Sequence, residues 1–103
     1  MASLIVLYTK PEDVEGFEAY YRDTHTPIAK SLPGLQGVSV SRITGTPRGT
    51  EAPYYLKGEL IFEDAAAMST ALQGEEGMAV SKDAMAMCKK FGVDAEIMVA
   101  EDF

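Results

Sequence analysis

Hydrophobic and polar residues alternate along GVSVSRIT, Gly37–Thr44, with Val38 and Val40 on one side and Ser39 and Ser41 on the other. The same period runs through YYLKGELIF, Tyr54–Phe62. There Leu56, Leu60 and Phe62 share one side, and Tyr55, Lys57, Glu59 and Ile61 share the other. It returns in VDAEIMVA, Val93–Ala100, where Val93, Ala95, Ile97 and Val99 oppose Asp94, Glu96 and Met98. A period of two predicts strands with one greasy face. Ser3–Thr9, SLIVLYT, is apolar on both sides, the pattern of a strand in the middle of a covered sheet. The segment GTPRGTEAP, rich in glycine and proline, joins two alternating runs and predicts a hairpin connection.

Helical spacing fills the gaps between these runs. In KPEDVEGFEAYY, Pro11 and Asp13 are start signals, and Val14, Phe17 and Tyr21 repeat on one side. His25 continues that stripe. Pro27 disfavours helical geometry at Thr26, while Thr26 is a good cap and proline a good first helical residue. The prediction is one helix ending near Thr24 and a short second one from Pro27 to about Leu32, closed by Pro33-Gly34. Farther on, Glu63-Asp64 can cap DAAAMSTALQ, with Ala65, Met68 and Leu72 inward. After the interruption GEEG, the residues Val80, Ala84, Met87 and Phe91 mark another helix, which Gly92 ends. Most of the methionines fall in these helices, where filling the core is their expected use.

The element order is β-α-β-β-α-β. This α+β order predicts a ferredoxin-like fold, a four-stranded antiparallel sheet with its helices on one face. The uncovered face then carries Ser39, Ser41, Tyr55, Lys57, Glu59, Ile61, Glu96 and Met98, plus either Ile5 and Leu7 or Leu4, Val6 and Tyr8. That mixture is too apolar for a bare surface and too polar for a second core. A partner sheet from a second copy would cover it and leave a partly polar cavity, so a homodimer is expected.

Composition narrows the functional classes. The chain has 103 residues, enough for a single domain spanning 1–103 with a modest core. Its net charge of −7, with only nine lysines and arginines, argues against a nucleic-acid partner. No apolar run is long enough to cross a membrane, and the N-terminus lacks the layout of a signal peptide. The single cysteine, Cys88, forms no internal disulfide and suits a reducing cytoplasm. No His or Cys cluster has metal-ligand spacing, so neither metal nor other cofactor is expected.

The stretch VLYTKPEDVEGFEAYYRDTHTPIAKSLPGL resembles the N-terminal half of the EthD family, in the dimeric α/β-barrel (ferredoxin-like) superfamily. The resemblance rests on Tyr8, Lys10-Pro11, Phe17, Tyr20-Tyr21, His25, Pro27, Ala29 and Leu32-Pro33-Gly34-Leu35. It implies a dimeric barrel with a cavity between the sheet and the first helix. It also implies a family named for ethyl tert-butyl ether degradation, where it accompanies an oxygenase, with related barrels that are cofactor-free oxygenases, isomerases or cyclases. The fold is implied more firmly than the reaction.

His25, the only histidine, has two readings. As a general base or acid it would use an imidazole whose free pKa is near 6.5, with Tyr21 orienting a substrate oxygen. As a structural residue it would donate to a carbonyl freed by the Pro27 break. Haem ligation through His25 lacks a second ligand motif. Tyr8, Phe17, Tyr55, Lys57 and Glu59 are the candidate substrate-binding wall. Their competing roles are core filling for the aromatics and an ion pair or subunit contact for Lys57 and Glu59. The expected ligand is an apolar or aromatic metabolite bearing oxygen. It would be turned over by a cofactor-free oxygenase, isomerase or cyclase using His25, or held by a non-catalytic carrier for a partner oxygenase.

Overall fold

The computed structural model describes all 103 residues. Strand β1 is Ala2–Tyr8, helix α1 Val14–Tyr20, a π-helical turn Tyr21–His25, and α2 Thr26–Ala29. Strands β2, Gly37–Arg42, and β3, Leu56–Phe62, follow. Helices α3, Ala65–Gln73, and α4, Glu75–Phe91, then lead to β4, Ala95–Glu101. The strands form one sheet in the order β2-β3-β1-β4, every neighbour antiparallel. This is the ferredoxin-like arrangement.

The sheet is open. Strands β2 and β4 are its edges, each paired on one side only, and no barrel closes. The dimeric α/β barrel implied by the resemblance is therefore corrected to an open four-stranded layer. With one helical layer behind it, the molecule is a slab 17 Å thick in its shortest direction.

The strand alternation holds along β3, whereas in the edge strand β4 the expected greasy face stays uncovered, with Ile97 and Val99 exposed. Along β3 the residues Leu56, Gly58, Leu60 and Phe62 are buried, and Lys57, Glu59 and Ile61 are half-buried on the other face. Register places Ile5 opposite Glu59 and Leu7 opposite Lys57, so Ile5 and Leu7 join the uncovered face. Tyr8 and Ala2 point to the helices and are buried. The core is divided. One cluster is mostly aliphatic, with Leu32, Leu60, Phe62, Met68 and Val80. The other is rich in aromatics and holds Tyr8, Phe17, Tyr21, Leu56, Met87 and Val93. Full burial of each large side chain contributes about 1.5–3 kcal/mol.

Helix α1 starts where expected, with the Asp13 side chain accepting from the Gly16 amide at 2.9 Å. The predicted break at Thr24–Thr26 does not occur. The chain stays helical through Thr26, at φ −60° and ψ −44°. It widens by one residue instead, with the Thr26 amide reaching back to the Tyr21 carbonyl. The Thr26 hydroxyl donates to that same oxygen at 2.8 Å, so Thr26 serves the turn from inside and caps nothing.

The physical reason lies in the spacing of the buried stripe. Phe17, Tyr21, His25 and Ala29 are all buried and four residues apart. Three such steps cover 12 residues, whereas three α-helical turns cover roughly 11. A single π turn absorbs the surplus residue and keeps all four side chains facing inward. It also accommodates Pro27, which cannot donate to the usual carbonyl.

Smaller differences follow from local chemistry. The GEEG interruption shrinks to Gly74, because Glu75 already opens α4. Gly92 ends that helix in the left-handed region, at φ 64°, where glycine is favoured. Met68 and Met87 fill the core as expected, whereas Met78 and Met85 lie exposed on α4.

Candidate functional site

Between the sheet and its helices lies a cavity of about 600 Å³. Its floor is Leu4, Val6 and Tyr8 of β1 with Gly58 and Leu60 of β3. The π turn supplies Tyr21 and His25, and α4 supplies Val80, Ser81, Ala84, Met85 and Cys88. Met85 and Ile97 line it while remaining largely exposed, which places the mouth between α4 and β4. The hollow is built within one chain. It lies on the helical side of the sheet, between sheet and helices as the resemblance implies, and not on the uncovered face.

His25 is 6% exposed. Its Nδ1 lies 2.8 Å from Oδ2 of Asp83 on α4. The second oxygen of that carboxylate accepts from the Tyr20 hydroxyl at 2.6 Å. The imidazole therefore does not hold a backbone carbonyl of the turn, since Thr26 does that work. Nε2 makes no hydrogen bond within the protein, and no sealed side-chain nitrogen or oxygen lacks a partner. Nε2 is accordingly the ring atom open to the cavity.

Tyr21 packs its ring 5.4 Å from the imidazole and edge-on to Tyr8 at 5.7 Å. Its hydroxyl lies over Gly58, where a β-carbon would collide with it. The missing side chain at Gly58 is what admits the phenol. Burial pushes the Tyr21 hydroxyl up to about 12, so at neutral pH it is a hydrogen-bond donor and not a base. Burial, reinforced by Tyr21, also raises Tyr8. The Tyr20 hydroxyl is raised by its bond to Asp83. Burial raises the Cys88 thiol too, which keeps it a neutral wall and not a nucleophile.

Three of the anticipated site residues thus meet at the cavity: His25, Tyr21 and Tyr8. Phe17 is fully buried behind them, with its ring 5.7 Å from Tyr8 and 6.1 Å from Tyr21, and does not line this cavity. Lys57 and Glu59 form an ion pair at 3.6 Å on the uncovered face, and Glu59 only borders the cavity. Tyr55 lies outside β3, where its hydroxyl donates to Glu18 beside a separate hollow of about 440 Å³. Glu18 also takes a forked bond from Arg42, at 2.9 and 2.7 Å. No group of three or more His, Cys, Asp or Glu side chains converges to hold a metal ion.

Asp83 escaped the sequence reading although its signal was present. It lies three residues after Val80 and four before Met87, both buried, so it stands on the inward stripe of α4. A carboxylate in that position needs a partner, and the chain has only one imidazole to offer.

The EthD domain family matches residues 10–90. The chain belongs to the EthD family. It is similar to the crystal structure of an EthD family protein from Bacillus halodurans, at 36% identity over 100% of this chain and 99% of that one, with a TM-score of 0.89. Two more distant structures share the fold. HapK from Hahella chejuensis is 16% identical, with a TM-score of 0.71 over 100% of this chain and 93% of that one. SnoaB, a cofactor-independent oxygenase from Streptomyces nogalater, is 15% identical, with a TM-score of 0.69 over 98% and 91%. No curated protein matches the chain. The EthD match begins at Lys10 and includes the π turn and Asp83, so the whole imidazole network lies within the family domain. No helix of this EthD chain is long and apolar enough to cross a membrane.

Proposed function

We propose that this EthD protein binds a neutral, largely apolar metabolite bearing a hydroxyl or carbonyl oxygen, and that His25 moves a proton on it without a bound cofactor. One observation carries the reading: the only imidazole of the chain turns a free nitrogen toward a cavity in which 15 of 22 lining residues are hydrophobic. Nε2 would remove a proton from a hydroxyl, or from a carbon beside a carbonyl, and return it at another atom. Tyr21, kept protonated, would donate to the substrate oxygen and steady the charge that develops there. Tyr8 and the apolar floor would hold the body of the ligand. Isomerisation and cyclisation need only this proton traffic, and oxygenation would add dioxygen as the oxidant. The likeness in fold to a cofactor-independent oxygenase is compatible with that last branch.

A second reading follows from the same lining. An apolar hollow with a wide mouth also suits a carrier that hands its ligand to a partner oxygenase and performs no chemistry. We further propose that the uncovered sheet face, with Ile5, Leu7 and Ile61 half-buried and Met98 exposed, pairs with a second copy. Analytical ultracentrifugation at micromolar concentration should then give twice the mass of the chain, and a monomer would refute it.

The test of the site begins with native mass spectrometry of co-purified ligand, followed by turnover assays on that compound. His25→Ala should abolish turnover and leave ligand binding and the far-ultraviolet spectrum unchanged. Binding without turnover by the unaltered protein would favour the carrier. Undiminished turnover in the variant would remove His25 from the chemistry.

A further inference from the structure

The carboxylate behind the imidazole has a role that extends this reading. We infer that Asp83 is a positioning residue, which holds the hydrogen of neutral His25 on Nδ1 and so presents an unprotonated Nε2 to the cavity. The inference rests on the acid–base role of His25 for its functional meaning, but its geometry stands alone.

Nδ1 and Oδ2 are 2.8 Å apart, with side-chain exposures of 7% for His25 and 13% for Asp83. An ionised carboxylate has acceptors and no donor. The hydrogen in this contact must then come from the ring, and in the neutral imidazole it must be the one on Nδ1. Nε2 is left with a lone pair. Free imidazole side chains favour the opposite tautomer, with hydrogen on Nε2, which could not accept a proton at the cavity wall. Asp83 thus converts the disfavoured tautomer into the working one.

The second carboxylate oxygen is also engaged. Tyr20 donates to Oδ1 at 2.6 Å, and its ring is wedged 6.0 Å from Phe91. The carboxylate is pinned from both sides: Tyr20 on α1 fixes its plane, and His25 on the π turn reads it. The π turn is what allows this. By keeping His25 on the inward stripe, it sets the ring against α4 at the level of Asp83, while Tyr21 reaches the floor at Gly58. Glu59 and Asp94 also line the cavity and no lysine or arginine does, but Asp83, at 2.8 Å, is the carboxylate in contact with the ring and its immediate countercharge whenever the ring takes up a proton.

Because the chain has a single histidine, its ring can be observed without assignment ambiguity. Long-range proton–nitrogen correlation spectra of uniformly nitrogen-15-labelled protein, at a pH where the ring is neutral, distinguish a protonated from an unprotonated ring nitrogen. The unaltered protein should show hydrogen on Nδ1 and a bare Nε2. Asp83→Leu and Asp83→Ala, checked for folding by their backbone amide spectra, should shift the population toward hydrogen on Nε2. Tyr20→Phe should keep it on Nδ1.

Hydrogen on Nε2 in the unaltered protein would overturn the inference, even if both Asp83 variants failed to fold. An unchanged tautomer in a folded Asp83 variant would overturn it as well. Failure here is separable from failure of the proposed function. A ring with the wrong tautomer in a protein that His25→Ala inactivates removes only the role of Asp83. A correct tautomer in a protein indifferent to His25→Ala removes only the chemistry.

Discussion

Helix α1 and the π turn after it feed two small networks built from similar parts. In one, Asp83 joins His25 and Tyr20. In the other, Glu18 joins Arg42 and Tyr55. Each has one carboxylate, one basic group and one phenol that donates to the acid. They differ in depth and in the base. The His25–Asp83 pair is nearly sealed, with side-chain exposures of 7% and 13%, while Arg42 is 63% exposed. An imidazole can give and take a proton near neutral pH, whereas a guanidinium is permanently charged. The same three-part pattern is therefore the proposed acid–base group at a cavity wall and a clasp at the surface. The clasp fastens α1 to the end of β2, and the buried network fastens it to α4.

The largest effect should come from removing what both networks share. Phe17 is the buried anchor of α1, packed edge-on against Tyr8 and Phe91 at 5.7 Å each. It sits beside Glu18 and one turn before Tyr20 and Tyr21. Phe17→Ala should lower stability by about 3–5 kcal/mol, read from urea unfolding. A loss below 1 kcal/mol would show that α1 is held by its polar ends instead.

A smaller effect separates the two networks. Asp83→Ala leaves a buried imidazole nitrogen and a phenol without partners, which should cost about 1–3 kcal/mol. Glu18→Ala acts on an ion pair whose Arg42 side is exposed to solvent, and about 0.2–1 kcal/mol is expected. Measured side by side in the same urea series, the order of the two losses is the decisive quantity. Equal losses would erase the distinction between site and clasp.

Much of this was written in the sequence, and the gaps have physical causes. The alternation of Leu56, Leu60 and Phe62 placed β3 correctly because a period of two leaves no choice of face. The stripe through Phe17, Tyr21 and His25 found the residues that meet at the cavity. It does not reveal the backbone, because Pro27 reads locally as a break, while the surplus residue in the four-residue spacing calls for a π turn. The inward place of Asp83 on α4 is legible beside Val80 and Met87, but its partner is not, because pairing across helices is invisible to a single stripe. Strand parity puts Tyr55 on the substrate wall, but β3 begins at Leu56 and the parity does not extend past its end. A closed barrel is what the resemblance implies. The order β2-β3-β1-β4 leaves both edges unpaired, and the helical layer alone encloses the hollow.

The mildest prediction concerns acid and bears on the clasp. The forked bond from Arg42, helped by the Tyr55 hydroxyl, holds the Glu18 carboxyl at about 2, against an ordinary value of 4.5. A folded-state value below the unfolded one means that the unfolded chain binds a proton first as pH falls. The clasp's contribution is then complete above about 4.5 and is lost as the pH drops from there toward 2. Arg42→Leu should weaken that dependence, because the carboxyl loses its main cation and keeps only the Tyr55 hydroxyl and the more distant Arg22. Urea midpoints taken from pH 6 to pH 2.5 should converge for the two proteins as the solution is acidified. Solvent screening at the exposed guanidinium keeps the difference small. Parallel curves would mean that the acid sensitivity of the fold lies in other carboxylates, and that the clasp contributes geometry without stability.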